Sequence, residues 1–211
     1  GASRLRFSRQ TAYTVTEIWH DATEFVSEGR FSASMNYHGF AFPVKGFLVD
    51  DRMAPTEFVR ALDERRAAHP PDVAFAMQNL VDSHDTERVA SMIVNASRRL
   101  PYQREDSTVW FDYDWGARSS PAQDSGYLLR PPTADERAVQ RLVALFQMAW
   151  VGAPMVYYGT ESGMWGADDP DDRSPMVWPD TPFADRTADP LGRPSSPSPV
   201  RFDPELHEYF R

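Results

Sequence analysis

Short apolar runs that each end in a knot of polar residues, separated by longer amphipathic stretches, constrain this chain more than any other feature. AYTVTEI, Ala12 to Ile18, is short, apolar and β-branched, as a strand of a buried parallel sheet must be, and it delivers Glu17, Trp19 and His20 at its C-terminal end. SASMNY, Ser32 to Tyr37, reads as a second short strand built from small residues. A helix is predicted from Pro55 to the stop at Pro70 and Pro71, with Phe58, Val59 and Leu62 on its buried face. The apolar run before Asp82 predicts a strand ending near Val81, followed by the polar cluster Asp82, Ser83, His84, Asp85 and Thr86.

The clearest helix signal covers Asp135 to Val151. Thr133 and Glu136 form a capping box, Val139, Leu142, Val143, Phe146 and Trp150 form the expected apolar stripe, and Gly152 and Pro154 end it. PMVYYG after it reads as another buried strand, and a Gly-, Asp- and Pro-rich segment then runs to Asp203, where PELHEYFR begins a helix. Residues 95–132 are polar and aromatic with turn residues throughout, which predicts a long loop or inserted excursion. No internal repeat is present, and the alternation of strands and helices places the chain in the α/β class. Polar residues collect just after strands, the face on which barrels of alternating strands and helices carry their active sites.

Composition narrows the function. The 211 residues are 41% hydrophobic and 25% charged, enough for one globular core. Twenty-two basic residues against 31 acidic ones give a formal charge of -9 without a basic stripe, which argues against nucleic acid as a partner. No apolar run approaches the roughly 20 residues that cross a bilayer, and GASRLRFSRQ lacks the apolar stretch of a signal peptide, so no membrane segment is expected. The sequence assigns no compartment. Without cysteine there is no disulfide, no thiolate metal site and no cysteine nucleophile. The 18 prolines and 13% aromatic residues stand out, with tryptophans beside acids in WFDYDWG and GMWGADDPDDR. Such pairings suit sugars, whose C–H faces stack on rings while their hydroxyls need acceptors; scattered core aromatics would produce the same count.

Retaining cleavage of a glycosidic bond needs one carboxylic acid to protonate the leaving oxygen and a second carboxylate to attack the sugar carbon. Glu17, at a buried strand end beside Trp19, has the environment that desolvates an acid and keeps it protonated, although a glutamate paired with a neighbouring arginine fits the same position. His84 and Asp85 supply a donor and an acceptor for adjacent sugar hydroxyls if the chain turns there; a plain turn with an exposed histidine is the other possibility. DDPDDR, Asp168 to Arg173, is open to two readings, a calcium site or a turn whose acids pair with Arg173. It lacks EF-hand spacing and carries Pro170 in its middle.

Taken in order, these pieces resemble the α-amylase family of glycoside hydrolases, and within it the neopullulanases and cyclomaltodextrinases. EIWHDA, Glu17 to Ala22, is similar to the family's strand-five motif. NLVDSHDTERV, Asn79 to Val89, resembles its strand-seven motif, and Leu145 to Trp178 resembles its helix-seven to strand-eight region. The resemblance implies a partial (β/α)8 TIM barrel, approximately strands five to eight with their helices, over residues 1–211 and truncated at both ends. It implies that Glu17 is the general acid and base, that Asp85 binds sugar hydroxyls in the transition state with help from His84, and that Trp19 lines the acceptor side. Asp169 and Arg173, in a D-P-x-x-R pattern, are implied contacts to glucose units on the donor side.

Thr160 stands where the family usually has aspartate, and His38 follows MNY where proline is common. The larger departure is the nucleophile, an aspartate in a G-x-R-x-D pattern some thirty positions before the acid: only sixteen residues precede Glu17 and none is Asp, and GFLVD at Gly46 to Asp50 comes after it. A full barrel takes about 250 residues, more than this sequence provides. The expected activity is therefore hydrolysis, with transfer as a variant, of α-1,4 links in maltodextrin-like glucans by a longer enzyme; the alternative is a half-barrel that binds oligosaccharide without cleaving it. The expected partners are an α-glucan oligosaccharide and either the missing N-terminal half-barrel or a second copy. No cofactor and no metal ion are expected.

Overall fold

The computed structural model describes residues 12–27, 29–96 and 119–211, together with the backbone of two short strands at 102–103 and 109–110. Its organising element is an arc of parallel strand segments in chain order. β1 (Val15–Thr16) pairs with β2 (Ala33–Ser34), Met35 just beyond β2 bridges to Gln78, and β3 (Gln78–Asn79) pairs with β6 (Ala153–Pro154), all parallel. Backbone bonds extend the ladder past the strands proper, from Met35 N to Thr16 O, Asn36 N to Gln78 O and Met155 N to Asn79 O. Among the described residues the arc is open, with β1 and β6 at its two edges.

The strands are shorter than the sequence suggests. Ala12 to Ile18 narrows to Val15–Thr16, Ser32 to Tyr37 to Ala33–Ser34 with the Met35 bridge, and PMVYYG to an extended stretch after Ala153–Pro154. The apolar run expected to be a strand up to Val81 divides instead: Pro71–Ala76 is helix α4 and only Gln78–Asn79 is strand. Pro71 at the first helical position starts that helix, and apolar residues alone do not separate a strand from a short buried helix.

Helices cover the outside of the arc. Thr23–Ser27 is α1, and an unbroken helical run follows β2 through the π-helical turn Tyr37–Ala41, α2 (Phe42–Val44) and a second π-helical turn Lys45–Val49. α3 is Pro55–Ala67, α5 is Val89–Val94 and α6 is Ala134–Ala149, starting on the expected capping box. α7, Pro204–Phe210, is capped by Asp203, whose carboxylate accepts the Leu206 N–H. Phe40, Val44, Phe58, Leu62, Val81, Val89, Ile93 and Val143 form the main apolar cluster between strands and helices, each worth roughly 1.5–3 kcal/mol if fully removed from water.

Two helix faces differ from the sequence expectation. Val59 is exposed while Phe58 and Leu62 are buried. On α6, Leu142 is exposed and the inner face consists of Gln140, Val143, Ala144 and Gln147. The reason lies in the sheet: Gln147 Nε2 donates to the carbonyls of Asn79 and Met155, both at 2.9 Å, so the helix turns an amide rather than a leucine toward the strand ends.

Beyond α5, the backbone segments β4 (Tyr102–Gln103) and β5 (Val109–Trp110) pair as an antiparallel ribbon inside the expected excursion. Residues 119–132 are turns tied to the core through Asn95, whose side chain donates to Leu128 O and accepts from Leu128 N. The rest of 95–132 lies outside the described residues. A second ribbon, β7 (Arg186–Ala188) with β8 (Pro194–Ser198), stands between the last core strand and α7.

Asn79 ties the arc together. Fully buried, it accepts from Asn36 Nδ2 at 2.9 Å and donates to Val151 O at 2.9 Å, while Gly152 (φ 133°) lies so close that a Cβ there would collide with its amide. Asn79→Ala is expected to lower unfolding stability by at least about 2 kcal/mol in urea titration, since it strands two polar partners at roughly 1–3 kcal/mol each.

Candidate active site

Glu17 follows β1 directly, and His84 and Asp85 occupy a turn five residues after β3, so all three leave the C-terminal ends of parallel strands. Carboxylate oxygens of Glu17 and Asp85 and a ring nitrogen of His84 all lie within 4.8 Å of one another. The turn is built from local hydrogen bonds: Ser83 N donates to Thr86 Oγ1 at 2.9 Å and Asp85 N to Ser83 Oγ at 3.1 Å. The Tyr37 hydroxyl donates to the same Ser83 Oγ at 2.8 Å, which fixes the turn to the helical run after β2.

The D-P-x-x-R segment closes over this turn. Arg173 Nη2 donates to Asp85 Oδ1 at 2.8 Å, its Nε donates to the His84 carbonyl at 2.7 Å, and Asp169 lies 3.2 Å from the same Nε. The segment thus forms a turn in which one of its acids, Asp169, pairs with Arg173. Its acids go to separate donors: Asp168 to Ser119 Oγ, Asp171 to Arg186 at 2.7 Å. At the Glu17, His84 and Asp85 cluster, the Arg173 guanidinium already occupies Asp85 Oδ1.

Five of the six residues singled out in sequence therefore meet: Glu17, His84, Asp85, Asp169 and Arg173. Trp19 is half-buried and stacks on Tyr37 with ring centroids 4.1 Å apart and 11° between planes, so it reaches the cluster through Tyr37 and Ser83. Glu17 itself is exposed, and the desolvation expected from its neighbour Trp19 is not realised in this chain. The strand is too short to enclose its end.

Beneath the exposed cluster lies a buried charged layer. Arg88 is fully buried with its guanidinium over the rings of Tyr157 and Tyr158, at 4.7 and 4.8 Å, and donates to Tyr158 O at 2.7 Å. Asp82, also fully buried, accepts from Val89 N at 3.0 Å, which caps α5, and from the Thr160 hydroxyl at 2.8 Å. This accounts for Thr160: an aspartate at that position would face the Asp82 carboxylate instead of donating to it. Burial pushes the Asp82 carboxyl above its ordinary range. Asp172 has no exposed surface, and burial pushes its carboxyl up to about 7 against the pull of Arg173 and Arg88. In sequence, Asp82 and Asp172 look like any other acid in a polar loop; only burial separates them.

An arc of parallel strands carrying carboxylates at its C-terminal end, with helices outside, is an arrangement consistent with part of an α/β barrel. Over 167 residues the chain is 32% identical to neopullulanase 2 of Thermoactinomyces vulgaris, a match covering 79% of this chain and 22% of that protein. It is 27% identical to a cyclomaltodextrinase of Thermoanaerobacter pseudethanolicus, over 82% of this chain and 23% of the relative. Among solved structures, the cyclic α-maltosyl-(1→6)-maltose hydrolase from Arthrobacter globiformis, in complex with maltose, superposes with a TM-score of 0.55 at 27% identity, covering 80% of this chain and 29% of that one. No family model matches the chain. Neopullulanases, cyclomaltodextrinases and maltogenic amylases are homologues of this chain over about 80% of its length. The chain spans about a fifth of the length of the curated relatives it matches.

An acid whose folded pKa lies above its unfolded value of about 4 binds more protons when folded, so its contribution to stability is lost as pH rises between the two values. Asp172→Asn is therefore expected to gain stability relative to the parent chain from pH 4 to about 7, with no further change above. Thermal melts of both chains across that range measure it; a constant difference at all pH values would be the contrary result.

Proposed function

We propose that these residues are the C-terminal half, approximately strands five to eight, of the catalytic barrel of a retaining glycoside hydrolase acting on α-1,4 bonds of maltodextrin-like α-glucans, with 95–132 an excursion within it. The observation that carries this reading is the convergence of Glu17, His84 and Asp85 within 4.8 Å just beyond β1 and β3, where two motifs far apart in sequence meet. Glu17 protonates the leaving glycosidic oxygen and then takes a proton from the attacking water. Asp85, with His84, holds sugar hydroxyls as positive charge develops at the anomeric carbon. Arg173 and Asp169 form the donor-side wall, with Arg173 also bonded to Asp85, so a sugar hydroxyl replaces or shares that bond on binding.

The attacking carboxylate is absent from the motif order of this sequence and would come from the strand-one to strand-four half. The same absence favours a second reading, a half-barrel that binds α-glucan without cleaving it. The open arc, with edge strands β1 and β6, is where a complementary half or a second copy would join.

The test mixes the 211-residue chain with a separately expressed strand-one to strand-four half. The chain alone is expected to release no sugar from maltodextrin, and the mixture to regain turnover. In the mixture, Glu17→Gln should cut turnover of unactivated glucan by roughly 10²–10⁴-fold, while an aryl glucoside with a good leaving group loses much less in its first step. Binding without turnover in the mixture would favour the second reading. Equal losses on both substrates would remove Glu17 from the acid role.

A further inference from the structure

The segment after Arg173 builds a recess of its own. A cavity of about 290 Å³ is lined by Trp165, Val177, Phe183, Val200 and Arg201, and a more open groove of about 730 Å³ shares Phe183, Val200 and Arg201 with it and adds Trp178. Trp178 is 55% exposed, while Phe183 and Val200 are half-buried, so one large flat ring stands free at the mouth of an apolar recess. Its setting is fixed. The Arg186 guanidinium lies 4.6 Å over the Trp165 ring, Trp165 Nε1 donates to Pro199 O at 3.3 Å, and Arg201 is held by Phe183 O at 3.0 Å and Asp185 Oδ1 at 2.5 Å.

The chemistry of the lining selects the occupant. A flat aromatic face takes the C–H face of a pyranose, and an oriented guanidinium–carboxylate pair beside it offers donors and acceptors to the hydroxyls. A lipid or an apolar helix would bury the charged Asp180, Asp185 and Arg201 at the groove rim, which a sugar's hydroxyls would instead engage. The recess is also joined to the Arg173 segment along the chain. Ser174 and Pro175, the two residues after Arg173, line the cavity, and the Tyr158 hydroxyl anchors Ser174 O at 2.7 Å. Trp178 lies five positions after Arg173, a span of at most about 18 Å.

We propose that this groove is a second α-glucan site, in which Trp178 stacks on one glucose unit and the Arg201–Asp185 pair takes its hydroxyls. It would hold a remote part of a long chain while another part enters the Glu17–Asp85 cluster. The proposal rests on the substrate class of the preceding subsection, but the groove lies wholly within this chain and needs neither a nucleophile nor a complementary half.

Isothermal titration of the 211-residue chain with maltohexaose tests it. Binding is expected, weakened about tenfold by Trp178→Ala, the loss expected for a central aromatic anchor, and largely kept by Trp178→Phe, which retains a stacking face. Cellohexaose, with β links of different curvature, should bind at least about tenfold more weakly. No binding of maltohexaose, or equal binding by Trp178→Ala, would overturn the groove. None of these bears on the catalytic assignment, which is read from turnover in the reconstituted mixture.

Discussion

Everything in this chain hangs from the buried amide of Asn79. A sheet of two-residue strands has too few ladder bonds to fix its own register, so side chains complete it. Asn79 accepts from Asn36 on one neighbouring segment and donates to Val151 on the other, and its carbonyl receives Gln147 from α6. One residue thus spans three segments of the arc and the helix that covers them. Gly152 is the corollary, because only a residue without Cβ leaves room for that amide at its backbone angle.

From this anchor the carboxylate cluster is positioned by two layers with opposite character. The upper layer is exposed and pairs Asp85 with Arg173, a contact that water weakens and a ligand can replace. The lower layer, with Asp82, Arg88 and Asp172, is out of water, where charges are costly unless partnered or neutralised. Asp82 is capped into α5 and bonded by Thr160, and Arg88 rests on two tyrosine rings. The rigid layer therefore sets where the exposed turn stands, while the exposed turn stays free to exchange partners.

The recess beyond Arg173 extends this division. β7 and β8 are peripheral to the arc, yet the segment around them walls an aromatic groove next to the site. Ser174 and Pro175, which line the cavity, directly follow Arg173, so the two regions are joined by the chain itself.

Sequence alone determined the α/β alternation, the capping box of α6 and the five residues, of six singled out, that meet around Asp85. These follow from local rules: turn and cap chemistry is read within four residues, and motif order survives without coordinates. Tertiary structure decided what depends on neighbours distant in sequence. Pro71–Ala76 became helix rather than strand, Leu142 faced outward because strand carbonyls needed Gln147, and Glu17 stood exposed where a desolvated acid was expected. Asp82 and Asp172 were indistinguishable from surface acids until burial set them apart, because the cost of a charge is a property of what surrounds it and not of the residue that carries it.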